Sequence, residues 1–516
     1  MKSYQFQKLS KKILPYAFFC GLILLFAYGA PFAGSDFALS SRAGNGGIGF
    51  WLREAGGSGG NYISAFLRAI MVDVPILRHL LLATMLSTAA IALLFFCGAE
   101  RPYMHFVILF LSLAAPKAIF AYTFSGVIGG ATYMIPAFLT VMYLFTLSDL
   151  FVYKGNKKGW KIPFLFLSGF AVQMFSESIG VALLIISVVS LILLWRKYGF
   201  NWHLMAHAFG CILGLSLNLI LSGSVDAVSN SFYAMVDQFT VVLDQLFVEN
   251  ILLLSVLTFV CLLLIQPIRL ERSKNCNITL LLLLVPMGLF LVLNVLNEAM
   301  VPFTMIYRAL SIVKLILALS YCLGILRTVQ HYVSKDKVIY RVRYALLGVL
   351  VFALVYTATG TAMPGMLYIP YLLMVGITGL MLVYALRHYD RMEKVLRKPL
   401  FFAAVAGVLA LSVITIANGK YCEIVDTHIR DNLQAGKTEI TLPVAPYAER
   451  LAATDLSDLS DYYDFPAYGE VDIDYVPYEQ WDWMTYYEAH NVPVIEEYDE
   501  EMEKTEDWAY EFEEDE

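Results

Sequence analysis

The chain has 516 residues, 59% of them hydrophobic and only 15% charged, with a mean hydropathy of +0.65. A water-facing surface needs far more charge, so a soluble globular protein is excluded. The formal charge of −7 conceals an asymmetry: residues 418–516 hold five Lys and Arg against 28 Asp and Glu, while residues 1–417 hold 31 against 15.

The chain opens with a basic flank (Lys2, Lys8, Lys11, Lys12) before an apolar run from Ile13 to Ala30. A signal peptide and an uncleaved first helix both fit that pattern, and the many later spans favour the helix. Residues 31–76 read as a long, glycine-rich outer loop, whose ISAFLRAIMV stretch has apolar residues at helical spacing suited to the membrane surface. Further apolar runs predict spans near 77–97, 103–121, 132–151, 162–176, 178–195, 202–221, 248–267, 278–296, 302–326, 343–361, 367–386 and 399–417. With the first helix, 13–31, the expectation is an all-α polytopic membrane protein of about 13 transmembrane helices. Helices are required because lipid offers the backbone no hydrogen-bond partner.

Loop charge sets the orientation, since cytoplasmic loops are rich in Lys and Arg. Arg101, then Lys154, Lys157, Lys158 and Lys161, then Arg196 and Lys197 fall on one side with the N-terminus. So do Arg269, Arg272 and Lys274, then Lys335, Lys337, Arg341 and Arg343, and finally Arg387, Arg391, Lys394, Arg397 and Lys398. Residues 222–247 carry Asp226, Asp237 and Asp244 with no Lys or Arg, and read as an outer loop. Basic residues on both sides of 162–195 require that stretch to return to the side it left. A short hairpin with Glu177 near its tip satisfies this. The N-terminus is therefore expected in the cytoplasm and the acidic C-terminus outside.

Three divisions follow: a membrane domain over 1–417, a small extracytoplasmic α/β region over 418–483, and an acidic tail over 484–516. HIRDNLQAGK predicts a helix stopped by Gly436, and TEITLPV a short strand. The tail is too acidic to build a core and reads as solvated chain. Tyr462, Tyr463, Tyr468, Tyr475, Tyr478, Tyr486 and Tyr487 read as packing of the small region, with a carbohydrate-contacting surface as the sharper alternative.

Ionisable groups in or beside lipid are expensive, so each one needs an explanation. On the outer half stand Asp36, Lys117, Glu177, Glu298, Arg308 and Lys314. Each has a bland reading: Asp36 caps a turn, Glu177 is solvated at its tip, Arg308 pairs with Glu298, and Lys117 snorkels. Arg308 and Lys314 are six apart, about 240° around a helix, so they do not share a face. Gathered in one vestibule, these groups would supply a general base and cations for a departing phosphate. That chemistry is glycosyl transfer from a lipid-linked sugar phosphate.

The layout of a basic N-terminus, one span and a long outer loop with an early Asp resembles the GT-C class of polyprenyl-phosphate-sugar-dependent glycosyltransferases. More closely, it resembles a bacterial multi-pass family of GT-C-like organisation. The stretches that carry the likeness are GSDF (34–37), GGATYMIPAFLTVMYL (129–144), QMFSESIGVALL (173–184), VPFTMIYRAL (301–310), HIRDNLQAGKTEITLP (428–443) and YYDFPAYG (462–469). The resemblance implies that Asp36 is the catalytic base, in a bacterial plasma-membrane protein. Related proteins have a Gly-Arg pair late in the first loop where this chain has GGNY (59–62). They have Pro-Gly-Asn after the seventh span where this one has SGSVD (222–226).

The expected activity is sugar transfer from a polyprenyl-linked donor to an envelope glycan or lipid acceptor on the outer face. Asp36 would act as base, Glu177 and Glu298 would line the site or bind a divalent metal, and Arg308 with Lys117 would contact phosphate. Two alternatives stay open: a transporter or flippase of a lipid-linked glycan, and a non-catalytic scaffold. Outer carboxylates alone are a thin basis for a metal. The chain contains no GxxxxGK[ST] and no HExxH, so ATP-driven transport and zinc proteolysis are unsupported. Its acidity argues against nucleic-acid binding. Seven cysteines without CxxC spacing indicate neither a zinc site nor a disulfide framework.

Overall fold

The computed structural model describes residues 2–33, 36–42, 46–58, 61–126, 129–152, 159–222, 232–265, 274–299, 305–360, 362–451, 459, 463, 471–477 and 481. The described residues are almost entirely helical. It begins with α1 (Lys2–Tyr28), followed by three short helices of the first loop, α2 (Asp36–Ser41), α3 (Ile48–Gly56) and α4 (Tyr62–Asp73). Then come α5 (Pro75–Cys97), α6 (Pro102–Leu113), α7 (Lys117–Phe124), a π-helical turn (Gly130–Met134) and α8 (Ile135–Val152). The hairpin α9 (Lys161–Phe175) and α10 (Glu177–Tyr198) leads to α11 (Trp202–Ser222) and α12 (Phe232–Leu243). A second π-helical turn (Asp244–Val248) precedes α13 (Ile251–Ile265), α14 (Lys274–Ala299), α15 (Met305–Tyr332), α16 (Asp336–Thr359), α17 (Tyr368–His388) and α18 (Asp390–Gln434).

Among the described residues nine helices are long and apolar enough to cross a membrane, or up to eleven if each of two bent pairs counts as one span. This is a multi-pass membrane protein. The bent pairs are α6 with α7, at 97°, and residues 233–248 with α13, at 54°. Pro116 stands at the first break, where it supplies no N–H to continue the helix. The apolar parts of α1 (Leu14–Tyr28) and α9 are shorter than a full crossing.

The core is organised around α17, whose residues from Tyr368 to Leu386 are all buried. Protein rather than lipid covers every face of this helix, whereas the other long spans leave part of their surface uncovered. It packs on α5, α6, α8, α13 and α16. Gly379 makes the approach of α5 possible, since a Cβ there would stand 2.8 Å from Cys97 Sγ. Glycine has the same use between α9 and α11, where Cβ atoms at Gly169, Gly210 and Gly214 would meet His207, Phe166 and Phe170 carbonyl oxygens within 2.8 Å. In lipid, where apolar burial gives little drive, such close approach is what holds helices together.

Several charges that read as loop residues belong to helices. Arg341 lies in the second turn of α16 and is buried, its Cζ 4.5 Å from the Phe145 ring centroid. It donates to the Phe96 carbonyl and reaches Asp149 Oδ1 at 3.4 Å. The segment 222–247 likewise contains α12 rather than loop alone.

The chain divides into two units, residues 1–424 with 447–464, and residues 425–446 with 465–516. In the second, β1 (Glu439–Pro443) pairs in parallel with β2 (Asp472–Val476), Glu439 opposite Asp472 and Pro443 opposite Val476. Trp481 Nε1 donates to the Thr441 carbonyl at 3.3 Å, and its ring meets His428 edge-on at 5.1 Å. The strand and the Gly436 stop fall where the sequence places them, with φ at Gly436 of +75°. Of the seven tyrosines, Tyr463 is buried and Tyr475 half exposed. Tyr462, Tyr468, Tyr478, Tyr486 and Tyr487 lie outside the described residues, as does the acidic tail.

Candidate functional site

The first outer loop and the start of α5 carry charges that are electrostatically coupled. Asp36 opens α2, and its Oδ2 accepts from the Ala33 backbone N–H at 3.2 Å. The residue is wholly buried. Gly126 makes room for the carboxylate, because a Cβ there would stand 3.0 Å from Oδ2. Two arginines share its field, Arg68 from α4 and Arg78 from the first turn of α5. Burial pulls the Arg68 guanidinium below its ordinary range, opposed by Tyr133, Asp36 and Glu54. Arg78 also lies over the Phe32 ring, with its Cζ 5.6 Å from the centroid.

Both guanidinium Nε atoms are buried, and neither has a hydrogen-bond partner among the described residues. Buried donors in folded proteins are almost always paired, so two open ones within the electrostatic reach of a carboxylate leave capacity for an acceptor group. Arginine is suited to phosphate, which takes its planar fork in two parallel hydrogen bonds. Tyr133 comes from the first π-helical turn, a distortion frequent at functional sites.

The turn at Gly46 and Gly47 is anchored on α4. Asp73 Oδ2 accepts from the Gly47 N–H at 2.8 Å and from Trp51 Nε1 at 2.9 Å. Gly46 and Gly47 have φ of +65° and +82°, a conformation that disfavours any side chain. The turn therefore delivers both N–H and indole to one carboxylate at the end of α4, fixing the helix that carries Arg68.

A second cluster lies where α12 meets α15. Arg308 forms a bidentate pair with Asp237, Nε to Oδ1 and Nη2 to Oδ2, both at 2.7 Å. Lys314 is completely buried and sits 2.6 Å from Asp244 Oδ1. Its other donors meet Asn297 Oδ1 at 3.1 Å and the Tyr307 ring face at 4.5 Å. Tyr307 in turn donates to Asp244 Oδ2 at 2.5 Å. Arg308 and Lys314 occupy different faces of α15, yet both partners come from one neighbouring segment, seven residues apart. Long side chains and the π-helical turn at Asp244 make that reach possible.

The five candidates from the sequence thus fall at separate places. Asp36 belongs to the first cluster and Arg308 to the second. Lys117 begins α7 just past the 97° break, mostly exposed and 3.9 Å from Glu449. Glu177 begins α10 after the extended Ser176, half buried, in the turn of the predicted hairpin. Among the described residues no ion pair joins it to another candidate. Glu298 lies on α14, but its side chain is outside the described residues. Arg68, Arg78 and Tyr133 escaped the sequence reading because their meeting with Asp36 depends on the loop's path. The one signal was Arg68 itself, a cation inside an amphipathic stretch.

No three His, Cys, Asp or Glu side chains are grouped to hold a metal ion among the described residues. Comparison of the chain with protein families, with curated proteins and with solved structures finds no match.

Proposed function

We propose that this chain is a GT-C-like membrane glycosyltransferase, moving a sugar from a polyprenyl-phosphate donor to an envelope glycan or lipid on the outer face. The observation that supports the reading is the buried Asp36 electrostatically coupled to two arginines with open Nε donors. In the reaction, the acceptor hydroxyl gives its proton to Asp36 and its oxygen bonds to the sugar's anomeric carbon. The bond from that carbon to the donor phosphate breaks, and its electron pair leaves on the phosphate, held by Arg68 and Arg78. Asp36 is sealed in, so turnover on this reading requires the loop to part from Gly126. On this reading the nine long helices, both bent pairs and the shorter α1 and α9 are all crossings, an odd number that sets the termini on opposite sides, and the basic loops favour the N-terminus in the cytoplasm.

The test is turnover of a lipid-linked sugar in membranes holding the native chain, Asp36→Asn or Arg68→Gln at matched abundance. Native turnover that both variants lose supports the proposal. No native turnover, or an Asp36→Asn variant as active as the native chain, rules it out.

A second reading, transport of a lipid-linked glycan, draws on the 54° bend and the Lys314–Asp244 pair beside it. Broken helices with charges at membrane depth are frequent in transporters. Flipping of a fluorescent lipid-linked sugar in proteoliposomes, abolished by Asp244→Asn, would favour that reading over transfer.

A further inference from the structure

At the end of the membrane unit opposite Asp36, α1, α6 and α18 enclose a cleft of about 1320 Å³. Its wall changes character along α18. Lys394, Arg397 and Lys398 come first, followed by Phe401 and Phe402. Spacings of three and four place Lys394, Arg397, Lys398 and Phe401 along one side of the helix. The cationic and aromatic parts are therefore separated by roughly one helical turn, about 5 Å. Phe18 from α1 and Phe106 from α6 extend the aromatic part.

The acidic groups in the cleft do not cancel this charge equally. Glu393 is buried and already engaged, ion-paired with Arg101 and accepting from Tyr103 Oη at 3.1 Å. That leaves Asp390 against Lys394, Arg397 and Lys398, all exposed. Arg397 lies over the Tyr103 ring, its Cζ 5.9 Å from the centroid, which holds one guanidinium at the mouth of the cleft. Phe402 and Leu14 are 64% and 69% exposed, an apolar surface open to hydrocarbon beside the cations.

A ligand that fits must carry negative charge at one end and a hydrocarbon chain at the other. We propose that this cleft binds one anionic phospholipid, its phosphate on Arg397, Lys398 and Lys394 and an acyl chain over Phe18 and Phe402. A polybasic segment at a membrane surface attracts anionic lipid in general. A walled cleft with an aromatic floor makes the contact stoichiometric. The site is independent of the reaction proposed for the opposite end.

The experiment is native mass spectrometry of the purified full chain, titrated with phosphatidylglycerol or with phosphatidylcholine of the same acyl chains. One phosphatidylglycerol is expected to stay bound with at least tenfold preference. In Arg397→Gln/Lys398→Gln the preference should fall to near unity, while Arg397→Lys keeps most of it. Equal retention of the two lipids, or a double variant that retains the preference, overturns the proposal. Displacement of the lipid by millimolar inorganic phosphate would also overturn it, by showing a phosphate site with no use for the chain. Should the double variant not fold, photo-crosslinking of a phosphatidylglycerol probe to the native chain decides. Labels on residues 394–402 and 14–18 are expected, and labels spread over the lipid-facing surface count against the cleft.

Discussion

The two charged clusters of the membrane unit have similar composition and differ in whether their cationic donors are taken. Around Lys314 the cations are met: Asp244, Asn297 and the Tyr307 ring surround the ammonium, and Asp237 takes both arms of Arg308, while Asp244 Oδ1 is held by ion pairing without a directed hydrogen bond. Around Asp36 the carboxylate is held, but two buried arginine Nε donors stand open among the described residues. A closed network serves structure, since its members already have what burial demands. An open one has capacity left for a ligand. Charge count alone does not separate the two; the inventory of donors does.

The largest expected effect lies in the closed cluster. Lys314→Met leaves the Asp244 carboxylate buried without its cation, which costs about 3–5 kcal/mol. Thermal unfolding in detergent should show it, and the double variant Lys314→Met/Asp244→Asn should recover most of the loss. A single variant as stable as the native chain would show that the pair is solvated and the contrast false.

Next comes Asp36→Asn, which keeps shape and burial but removes the base. Sugar turnover should fall by about 10²–10⁴-fold with melting temperature nearly unchanged. A large drop in stability with proportionate activity would instead assign Asp36 to the structural class. Gly126→Ala is subtler. Its methyl group would press on Asp36 Oδ2, so turnover should decline by about tenfold, equivalent to some 1.4 kcal/mol in the barrier. Arg308→Gln should be the smallest perturbation of turnover, within about twofold, because its guanidinium is committed to Asp237. A loss matching that of Arg68→Gln would move Arg308 into the reacting site and merge the two clusters.

Much of the architecture was legible in residue order. Apolar runs of membrane length have only one way to satisfy their backbones in lipid, so the helices at 76–97, 202–221 and 368–388 follow closely from hydropathy. The strand at Glu439 and the glycine stop at Gly436 follow from local chemistry in the same way. The breaks were harder to see. Residues 103–121 look like one span, yet the chain turns by 97° before Lys117, with Pro116 at the break of a mostly apolar run. Arg341 looked like a loop residue because charge near a span end usually is. Asp149 and the Phe96 carbonyl, distant in sequence, make its burial affordable.

The candidate site divides along the same line. Asp36 was visible alone, as a carboxylate held a few residues beyond an apolar run. Its arginines were not, since 32 and 42 residues of glycine-rich loop and helix separate them from it. Sequence by itself determined which segments prefer lipid, where basic and acidic charge accumulate, and which ionisable groups need an explanation. Those are properties of transfer free energy, carried by each residue in its local window. Only the tertiary structure decided which charges neutralise one another and which donors remain open. Pairing depends on distances of a few ångströms between helices, and these are set by glycine contacts, broken spans and the anchored turn at Asp73.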